Sequence, residues 1–314
     1  MHEFNLIQKY FTWDNPPENV AMTVGDDAAI MDLPKNKQLV TSVDTLISGV
    51  HFPKETPAQA IGYKALAVSL SDLAAMGASP KWFTLALTLP EINQSWLEDF
   101  SQGLKKLAQE HQCFLVGGDT TKGPLSISIQ VMGLVDSGKA LLRSGAKSGD
   151  KIYVTGTLGD ANAGLDYLLN NSQVLAPEAR QYCQKRLNYP IPRLVESAAI
   201  KDLASSCIDL SDGLLQDLSH ILSASSIGAK LDLSQLPLSL ALRTLEDKNS
   251  LAYALAGGDD YELLFTTSKE NESKLLSRIG DKVTCIGSIA KDIHGIIDKA
   301  GKQLESSGYN HFND

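Results

Sequence analysis

The sequence predicts a two-domain α/β (α+β) fold in which strands and helices interleave in both halves. Three observations predict it. The chain has 314 residues, more than the roughly 250 at which a single core usually stops growing. Segments with the period of a strand alternate with segments that have the period of a helix. A polar, glycine-rich break, "RSGAKSGDK", separates two such series. We therefore expect one domain over residues 1–142 and a second over 143–314.

The first half has strand patterns on either side of a helix pattern. "KQLVTSVDT" reads as a buried strand, and "KWFTLALTL" alternates large apolar residues with smaller ones. "SWLEDFSQGLKKLAQEH" has helical spacing and a capping box from Ser95 to Glu98. "CFLVGGDTT" and "LSISIQVMGLV" follow as strands, and Asp72 lies in "LSDLAAMGA", which reads as an amphipathic helix. This half is a mixed sheet and helix domain.

The second half repeats the interleaving. "KIYVTGT" predicts a strand and "GDANAGLDYLLNN" a helix. Helical patterns follow at "PRLVESAAIKDLASS" and "DGLLQDLSHILSAS", and strands at "YELLFTT" and "VTCIGSI". Strands and helices in this order predict an α/β sandwich.

The composition limits the possible partners and the compartment. Lys and Arg number 28 against 37 Asp and Glu, a net charge of −9, so the surface repels nucleic acid and anionic lipid on average. No apolar run reaches the ~18 residues of a membrane span, and the N-terminus "MHEFNLIQKYF" lacks the apolar centre of a signal peptide. Four scattered cysteines without a C-x-x-C pair suit free thiols in a reducing compartment. We expect a cytoplasmic protein without a membrane or nucleic-acid partner.

Carboxylates recur beside glycines and at strand ends. Such positions open onto ligand crevices, and glycine permits close backbone approach. Hard oxygen ligands without clustered histidines favour Mg²⁺ over zinc. The clusters are "GDD" at 25–27, "SVD" at 42–44, "GGD" at 117–119, "DLSDG" at 209–213 and "GGDD" at 257–260.

Several of the acidic residues also have a simpler structural interpretation. Asp72 can lie on the solvent face of its helix, and Asp119 or Asp259 can be a turn residue. Ser211 or Asp212 can be the N-cap of the following helix after a strand exit. Competing nucleotide and hydrolase motifs are missing from the sequence: G-x-x-x-x-G-K-[ST], G-x-G-x-x-G and G-x-S-x-G do not occur.

Taken together and in order, the motifs resemble those of the thiamine-monophosphate kinase family, within the aminoimidazole ribonucleotide synthetase superfamily. The segments that carry the resemblance are "GDDAAI", "SVDTLISGVHF", "YKALAVSLSDLAAMGA", "GGDTTKGP", "LLRSGAKSGDKIYVTGTLGD", "IDLSDGL" and "GGDDYELLFT". The resemblance implies Mg²⁺- and ATP-dependent phosphorylation of thiamine monophosphate to thiamine diphosphate by direct in-line transfer, the last step of thiamine diphosphate biosynthesis. It also implies a homodimer in which N-terminal sheets pair into a barrel, with an α/β C-terminal domain on each flank.

The resemblance also implies roles for individual residues. Several Mg²⁺ ions are held by Asp27, Ser42, Val43, Asp44, Asp72, Asp119, Asp209 and Asp212. Gly118, Asp119, Arg143 and Ser211 match positions that contact ATP, and Asp212, Asp119 and Arg143 are the expected catalytic residues. His51, Asp259 and Tyr309 match positions around thiamine monophosphate, although loop packing for His51 and docking of the tail for Tyr309 are alternatives. Asp259 stands where the family often has Glu, which shortens the reach of the carboxylate by one methylene.

Two other functions stay open at this point. One is another ATP-using enzyme of the superfamily, such as an aminoimidazole ribonucleotide or selenophosphate synthetase. The absence of a cysteine before Cys113 disfavours the selenophosphate alternative. The other is a non-catalytic sensor of nucleotide or thiamine phosphate, which the retained carboxylates disfavour.

Overall fold

A computed structural model of the chain describes residues 2–170, 175–245, 247–305 and 308. It forms two compact units, which are described one at a time. Unit 1 consists of Met1–Leu73 and Ala78–Gly138, and unit 2 of Ala74–Gly77 and Lys139–Asp314. Within the described ranges, no helix is long and apolar enough to cross a membrane.

Unit 1 is built on a four-stranded sheet with two long helices. Its elements are α1 (Glu3–Leu6, continued by a π-helical turn over Ile7–Phe11), β1 (Val20–Met22), β2 (Ile30–Met31), β3 (Lys37–Ile47), α2 (Ala58–Ala75), β4 (Ser79–Leu89), α3 (Gln94–Glu110), β5 (Phe114–Lys122) and β6 (Ser126–Asp136). The sheet has the order β3-β6-β4-β5. Strands β4 and β5 are parallel, whereas β6 is antiparallel to both β3 and β4. The strands expected in this half are therefore present. Strand β3, however, is not the buried strand that the sequence predicted, because it lies at the edge of the sheet and its residues 37–45 are exposed or half-buried.

Helices α2 and α3 approach each other closely through two glycines. A Cβ on Gly62 would lie 2.1 Å from the Phe100 carbonyl oxygen, and one on Gly103 would lie 2.0 Å from that of Gln59. Helix α2 is not the amphipathic helix that the sequence predicted, because nearly every residue from Lys64 onwards is buried. Asp72 is therefore half-buried among buried neighbours and does not lie on a broad solvent face.

The start of α3 also differs from the prediction. The N-cap is Asn93, whose side-chain oxygen accepts a hydrogen bond from the Trp96 N–H at 3.1 Å. Ser95 already lies in the first turn, so the predicted capping box from Ser95 to Glu98 is wrong. Asn is as good an N-cap as Ser, and it comes two residues earlier.

Unit 2 contains a seven-stranded sheet in the order β13-β12-β9-β11-β7-β10-β8. Its elements are β7 (Lys151–Thr155), α4 (Asp160–Asn170), α5 (Pro177–Asn188), α6 (Leu194–Ile200), β8 (Ala204–Asp209), α7 (Leu214–Ser225), β9 (Gly228–Leu231), α8 (Asp247–Ala256), β10 (Leu263–Thr267), α9 (Glu272–Ile279), β11 (Val283–Ala290), β12 (Ile296–Asp298) and β13 (Gln303–Leu304). All neighbouring strands are antiparallel except β9 and β12.

Alternate residues of these strands belong to two separate apolar clusters, one on each face of the sheet. Ile152 and Val154 pack with residues of α7 and α8, whereas Tyr153 between them packs with residues of α6 and α9. The period of two therefore produces a three-layer α/β/α arrangement. This confirms the α/β class of the second half.

One helix prediction fails in unit 2. The pattern "PRLVESAAIKDLASS" predicts a single helix, but α6 ends at Ile200 and the segment from Ala204 belongs to β8. The hydroxyl of Ser206 is fully buried and hydrogen-bonds to Thr266 across the sheet. A polar residue that is satisfied by a neighbouring strand has no signature in the local sequence.

Candidate active site

A cavity of about 870 Å³ lies in unit 1 along the edge strand β5. The N-terminal helical segment, the loop of residues 23–29 and parts of β4 and β5 form its walls. It brings together three of the residues singled out in the sequence, Asp27, Gly118 and Asp119. Glu3 and Asp26 line it as well, so the cavity is strongly acidic.

Local backbone geometry explains why glycine and aspartate occur at these positions. The Asp27 N–H donates to Asp26 Oδ1 at 2.8 Å, which shapes the exposed loop after Gly25. A Cβ on Gly118 would lie 1.9 Å from the Leu85 carbonyl oxygen. Only glycine therefore lets β5 pair this closely with β4 immediately before Asp119.

A second group in unit 1 joins strand β3 to helix α2. The Ser42 hydroxyl donates to Asp72 Oδ2, so the half-buried Asp72 is held against the strand that also carries Asp44. Burial raises the pKa of Asp44, and a hydrogen bond from Ser69 opposes that rise. Asp44 Oδ2 is buried without a hydrogen-bond partner among the described residues. Such an oxygen is costly unless a proton or a cation satisfies it.

The two groups lie on different strands of the same sheet. Asp44 pairs with Ile129, Ile129 with Leu85, and Leu85 with Gly118, so three strand spacings separate β3 from β5. At about 4.8 Å per spacing, this is about 14 Å. Two Mg–O bonds of about 2.1 Å and two short aspartate side chains do not span that distance. Asp44 and Asp119 therefore suit different ions.

The remaining predicted residues of unit 1 have backbone roles or exposed side chains. Val43 is 64% exposed, and its side chain is a hydrocarbon without a ligand atom, so only its backbone carbonyl could contact a cation. The His51 Nδ1 accepts a hydrogen bond from the Ile47 N–H at 2.9 Å and thereby closes the turn that follows β3.

In unit 2 the "DLSDG" and "GGDD" motifs form adjoining turns. Strand β8 ends at the buried Asp209, and Ser211 and Asp212 follow in a half-buried turn. The Asp259 N–H donates to the Ser211 carbonyl oxygen at 2.9 Å, and Asp259 has a φ of +68°. The structure therefore brings Asp209, Ser211, Asp212 and Asp259 into one region of unit 2.

The helix that follows this turn is not capped as the sequence suggested. Gly213, with a φ of +125°, is the N-cap of α7 and makes no side-chain cap hydrogen bond. Neither Ser211 nor Asp212 therefore serves as N-cap. The Gln216 side-chain amide donates to Asp212 Oδ2 at 3.0 Å and fixes the direction of that carboxylate.

Asp217 is a residue that the sequence interpretation missed. Its Oδ2 accepts hydrogen bonds from the backbone N–H groups of Ser211, Asp212 and Gly213, each at 3.1 Å. Burial, and secondarily the charge of Asp212, raises the pKa of Asp217 to about 7, although the three N–H groups oppose the rise. The available sequence signal was an acidic residue in the first turn of a helix directly after "DLSDG".

The acidic residues of "GGDDYEL" divide into different roles. Asp260 is buried and accepts a hydrogen bond from the Gly159 N–H at 2.6 Å, at the start of α4. Burial raises its pKa well above the usual range. Glu262 is fully buried and accepts from Arg186, Arg193 and the Thr155 hydroxyl. Asp260 and Glu262 therefore hold the fold together, whereas Asp259, the first acidic residue of the motif, is half-buried.

Two predicted residues remain. Arg143 is exposed in the segment that leads into β7. Tyr309 lies outside the described residues, so its predicted role stays a prediction. Among the described ranges, no three Asp, Glu, His or Cys side chains form a group that could hold a metal ion by themselves. Mg²⁺ does not require such a group, because it is usually held by one or two carboxylates together with water and substrate phosphates.

Comparison with known proteins identifies relatives along the whole chain. The model of the AIR synthase related protein N-terminal domain matches residues 25–135, and that of the C-terminal domain matches residues 147–299. Thiamine-monophosphate kinase of Escherichia coli K12 is 48% identical over 318 aligned residues, which cover 99% of this chain and 98% of that protein.

Solved structures of similar proteins share the architecture. Thiamine-monophosphate kinase from Stenotrophomonas maltophilia K279a is 43% identical, with a TM-score of 0.86 and coverage of 91% of this chain and 92% of that one. A structure described as AaThiL complexed with AMPPCP and TMP is 34% identical, with a TM-score of 0.80 and 92% coverage of both chains.

Proposed function

The chain belongs to the thiamine-monophosphate kinase family, and on that premise we propose that it transfers the γ-phosphoryl group of ATP to thiamine monophosphate. The products are ADP and thiamine diphosphate, so the reaction is the last step of thiamine diphosphate biosynthesis. The observation that carries the proposal is the 48% identity with the Escherichia coli kinase over essentially the full length of both chains. The relative described as complexed with AMPPCP and TMP supports the pairing of an ATP analogue with a second ligand.

The acidic residues support a requirement for several Mg²⁺ ions. Asp44 Oδ2 is buried without a hydrogen-bond partner among the described residues, and a cation would satisfy it. Asp72 is held against the same strand by its hydrogen bond from the Ser42 hydroxyl. Asp27 and Asp119 face a common cavity on another strand. We assign Asp27, Asp44, Asp72 and Asp119 as ligands in unit 1, with Ser42 and the Val43 backbone in support, and Asp209 and Asp212 as ligands in unit 2. When bound, the ions supply charge neutralisation between the two phosphorylated substrates.

The chain's own residues then bind and orient the reactants. Gly118 presents backbone at the wall of the cavity, where no side chain blocks a nucleotide. Arg143 offers a planar guanidinium fork to phosphate oxygens, and the Ser211 turn provides a further nucleotide contact. His51, Asp259 and Tyr309 are assigned to thiamine monophosphate.

The acceptor does not need a strong general base. It is a phosphate oxygen, which is already ionised near neutral pH because the second pKa of a phosphate monoester is about 6. Catalysis therefore rests on positioning and on stabilising charge, which is the general pattern for phosphoryl transfer. Asp119, Asp212 and Arg143 are the residues to which we assign that role.

We also propose that the protein works as a homodimer formed through strand β3. This strand is 11 residues long and lies at the edge of its sheet. Leu39, Val43 and Ile47 recur every fourth residue along it and are 44%, 64% and 40% exposed. A long apolar edge strand pairs readily with another strand, and a second copy of β3 would cover it. Sedimentation analysis of the wild type and of Val43→Lys tests this, because the lysine should shift a dimer towards monomer.

A cytoplasmic location agrees with the state of the thiols. Cys113, Cys183, Cys207 and Cys285 are all free, and the first three are buried. Disulfides are rare in reducing compartments, which are also where ATP is plentiful.

A panel of acceptors tests the proposed activity and its rivals. With ATP and Mg²⁺, thiamine monophosphate should yield equimolar ADP and thiamine diphosphate, and free thiamine should be a poor acceptor. Release of AMP, or turnover with free thiamine alone, would rule out the assigned chemistry. Binding of both ligands without any turnover would favour the sensor alternative.

A further inference from the structure

Three consecutive backbone N–H groups converge on one side-chain oxygen at the start of α7. The N–H groups of Ser211, Asp212 and Gly213 each lie 3.1 Å from Asp217 Oδ2. Asp217 is 2% exposed. The contact is therefore internal to the protein, and no ligand reaches that carboxylate from solvent.

Converging N–H groups at a helix N-terminus ordinarily attract an external anion such as phosphate. Here the chain's own carboxylate fills that position. The turn consequently offers its outward side chains, rather than its amides, to a ligand. A carboxylate such as that of Asp212 on this turn suits a cation.

Further contacts fix the same turn from other directions. The Gln216 amide holds Asp212 Oδ2 at 3.0 Å, and the Ser211 carbonyl accepts the Asp259 N–H at 2.9 Å. A Cβ on Gly213 would lie 2.9 Å from the carbonyl carbon of Ala256, so the backbone passes close to the end of α8. The buried Asp217 carboxylate in turn accepts a hydrogen bond from the backbone N–H of each of the three turn residues.

We propose that Asp217 is a positioning residue that holds the Ser211–Gly213 turn so that Asp212 points its carboxylate towards bound Mg²⁺. The proposal rests on the proposed function for the role of Asp212. Residues that orient metal ligands typically change metal affinity or activity by about 10- to 100-fold when they are replaced. Asp217→Ala should act in that range, and Asp217→Asn, which keeps an acceptor oxygen, should have a smaller effect.

Asp150→Ala provides a matched control. Asp150 is a buried aspartate of unit 2 that also accepts from a backbone N–H, that of Lys147 at 2.9 Å, and from the Ser205 hydroxyl. Ser205 lies near the first residue of β8, whereas the Ser211 turn follows the last. The control therefore removes another buried carboxylate that accepts a backbone N–H, but at the other end of strand β8.

Two measurements do not depend on kinase activity. Amide hydrogen exchange of residues 211–213 is followed by NMR on protein without metal or nucleotide, and Mn²⁺ binding is titrated by EPR as a probe for Mg²⁺. Asp217→Ala should speed exchange at the three amides and weaken Mn²⁺ binding about tenfold or more, with Asp217→Asn between it and the wild type. Asp150→Ala should change neither, even if it lowers the unfolding temperature equally.

The proposal is overturned if Asp217→Ala and Asp150→Ala behave alike in both measurements. It is also overturned if exchange speeds up while Mn²⁺ affinity stays unchanged, because the turn would then not orient a metal ligand. Should Asp217→Ala fail to fold, the same comparison is made with Asp217→Asn and Asp150→Asn. A wild type that binds Mn²⁺ through this turn but does not phosphorylate thiamine monophosphate would refute the proposed function and not the role of Asp217.

Discussion

The buried carboxylate of Glu262 provides a prediction about what holds unit 2 together. Its side chain is fully buried and receives hydrogen bonds from Arg186 at 2.7 Å, from two Arg193 nitrogens at 2.5 Å each, and from the Thr155 hydroxyl at 2.5 Å. Glu262→Gln keeps the volume but removes the charge. The new amide group would also direct N–H donors at guanidinium donors.

The expected cost follows from taking the hydrogen-bonded counter-charge away from the buried Arg186 and from Arg193, which keeps only the more distant Glu196 carboxylate at 4.0 Å. Removing one partner of a buried ion pair costs about 3–5 kcal/mol. For a domain of this size, each kcal/mol lowers the unfolding temperature by about 2–4 °C, so we expect a decrease of about 6–20 °C. Glu262 is fully buried and is assigned no ligand, so loss of kinase activity should accompany unfolding rather than precede it.

Thermal unfolding followed by circular dichroism measures the effect, with Asp202→Asn as the control. Asp202 pairs with Arg278 and Lys274 on the surface and is half exposed. Exposed pairs contribute little to stability, so the control should shift the transition only slightly. A Glu262→Gln transition as close to the wild type as that of the control would show that the Glu262 charge does not stabilise unit 2.

Three further predictions concern the candidate site. Asp72→Asn should abolish turnover while leaving the unfolding temperature nearly unchanged, since the amide still accepts from Ser42; retained activity in a steady-state assay would return Asp72 to a structural role. Gly118→Ala places a Cβ 1.9 Å from the Leu85 carbonyl oxygen and should lower the free energy of unfolding, measured with denaturant, by about 1–3 kcal/mol. Gly117→Ala is the control, because its Cβ would meet nothing within 4 Å, and it should lower that free energy less. Equal losses in the two variants would contradict the steric argument. Removing divalent cations with EDTA should stop turnover, and excess Mg²⁺ should restore it; activity that persists in EDTA would contradict the assignment of the carboxylates.

The sequence predicted the elements whose pattern is local. Strands β4 and β6 and helix α3 have alternation or helical spacing over nine or more residues, and each is present near its expected bounds. Strands β12 and β13 have only three and two residues, too few for a period to emerge. Strand β12 pairs with β9, which lies far from it in the sequence, and β13 joins the sheet only through β12.

The sequence predicted the acidic and glycine motifs of the candidate site. It did not predict which of their acidic residues stabilise the fold. Asp259, Asp260 and Glu262 look alike in "GGDDYEL", yet burial assigns the last two to the α4 N-terminus and to the arginine pair. Asp217 escaped attention because an acidic residue in a first helical turn is ordinary. Only the fold shows that it faces inwards and receives three N–H groups.

Transfer of labelled phosphate tests whether the protein phosphorylates thiamine monophosphate with ATP. Protein is incubated with Mg²⁺, thiamine monophosphate and ATP labelled with ³²P in the γ-phosphoryl group, and the products are separated. The label should appear in thiamine diphosphate in step with ADP, and Asp119→Asn should lose this transfer. Label recovered only as inorganic phosphate, or AMP formed in place of ADP, would contradict the proposed phosphoryl transfer.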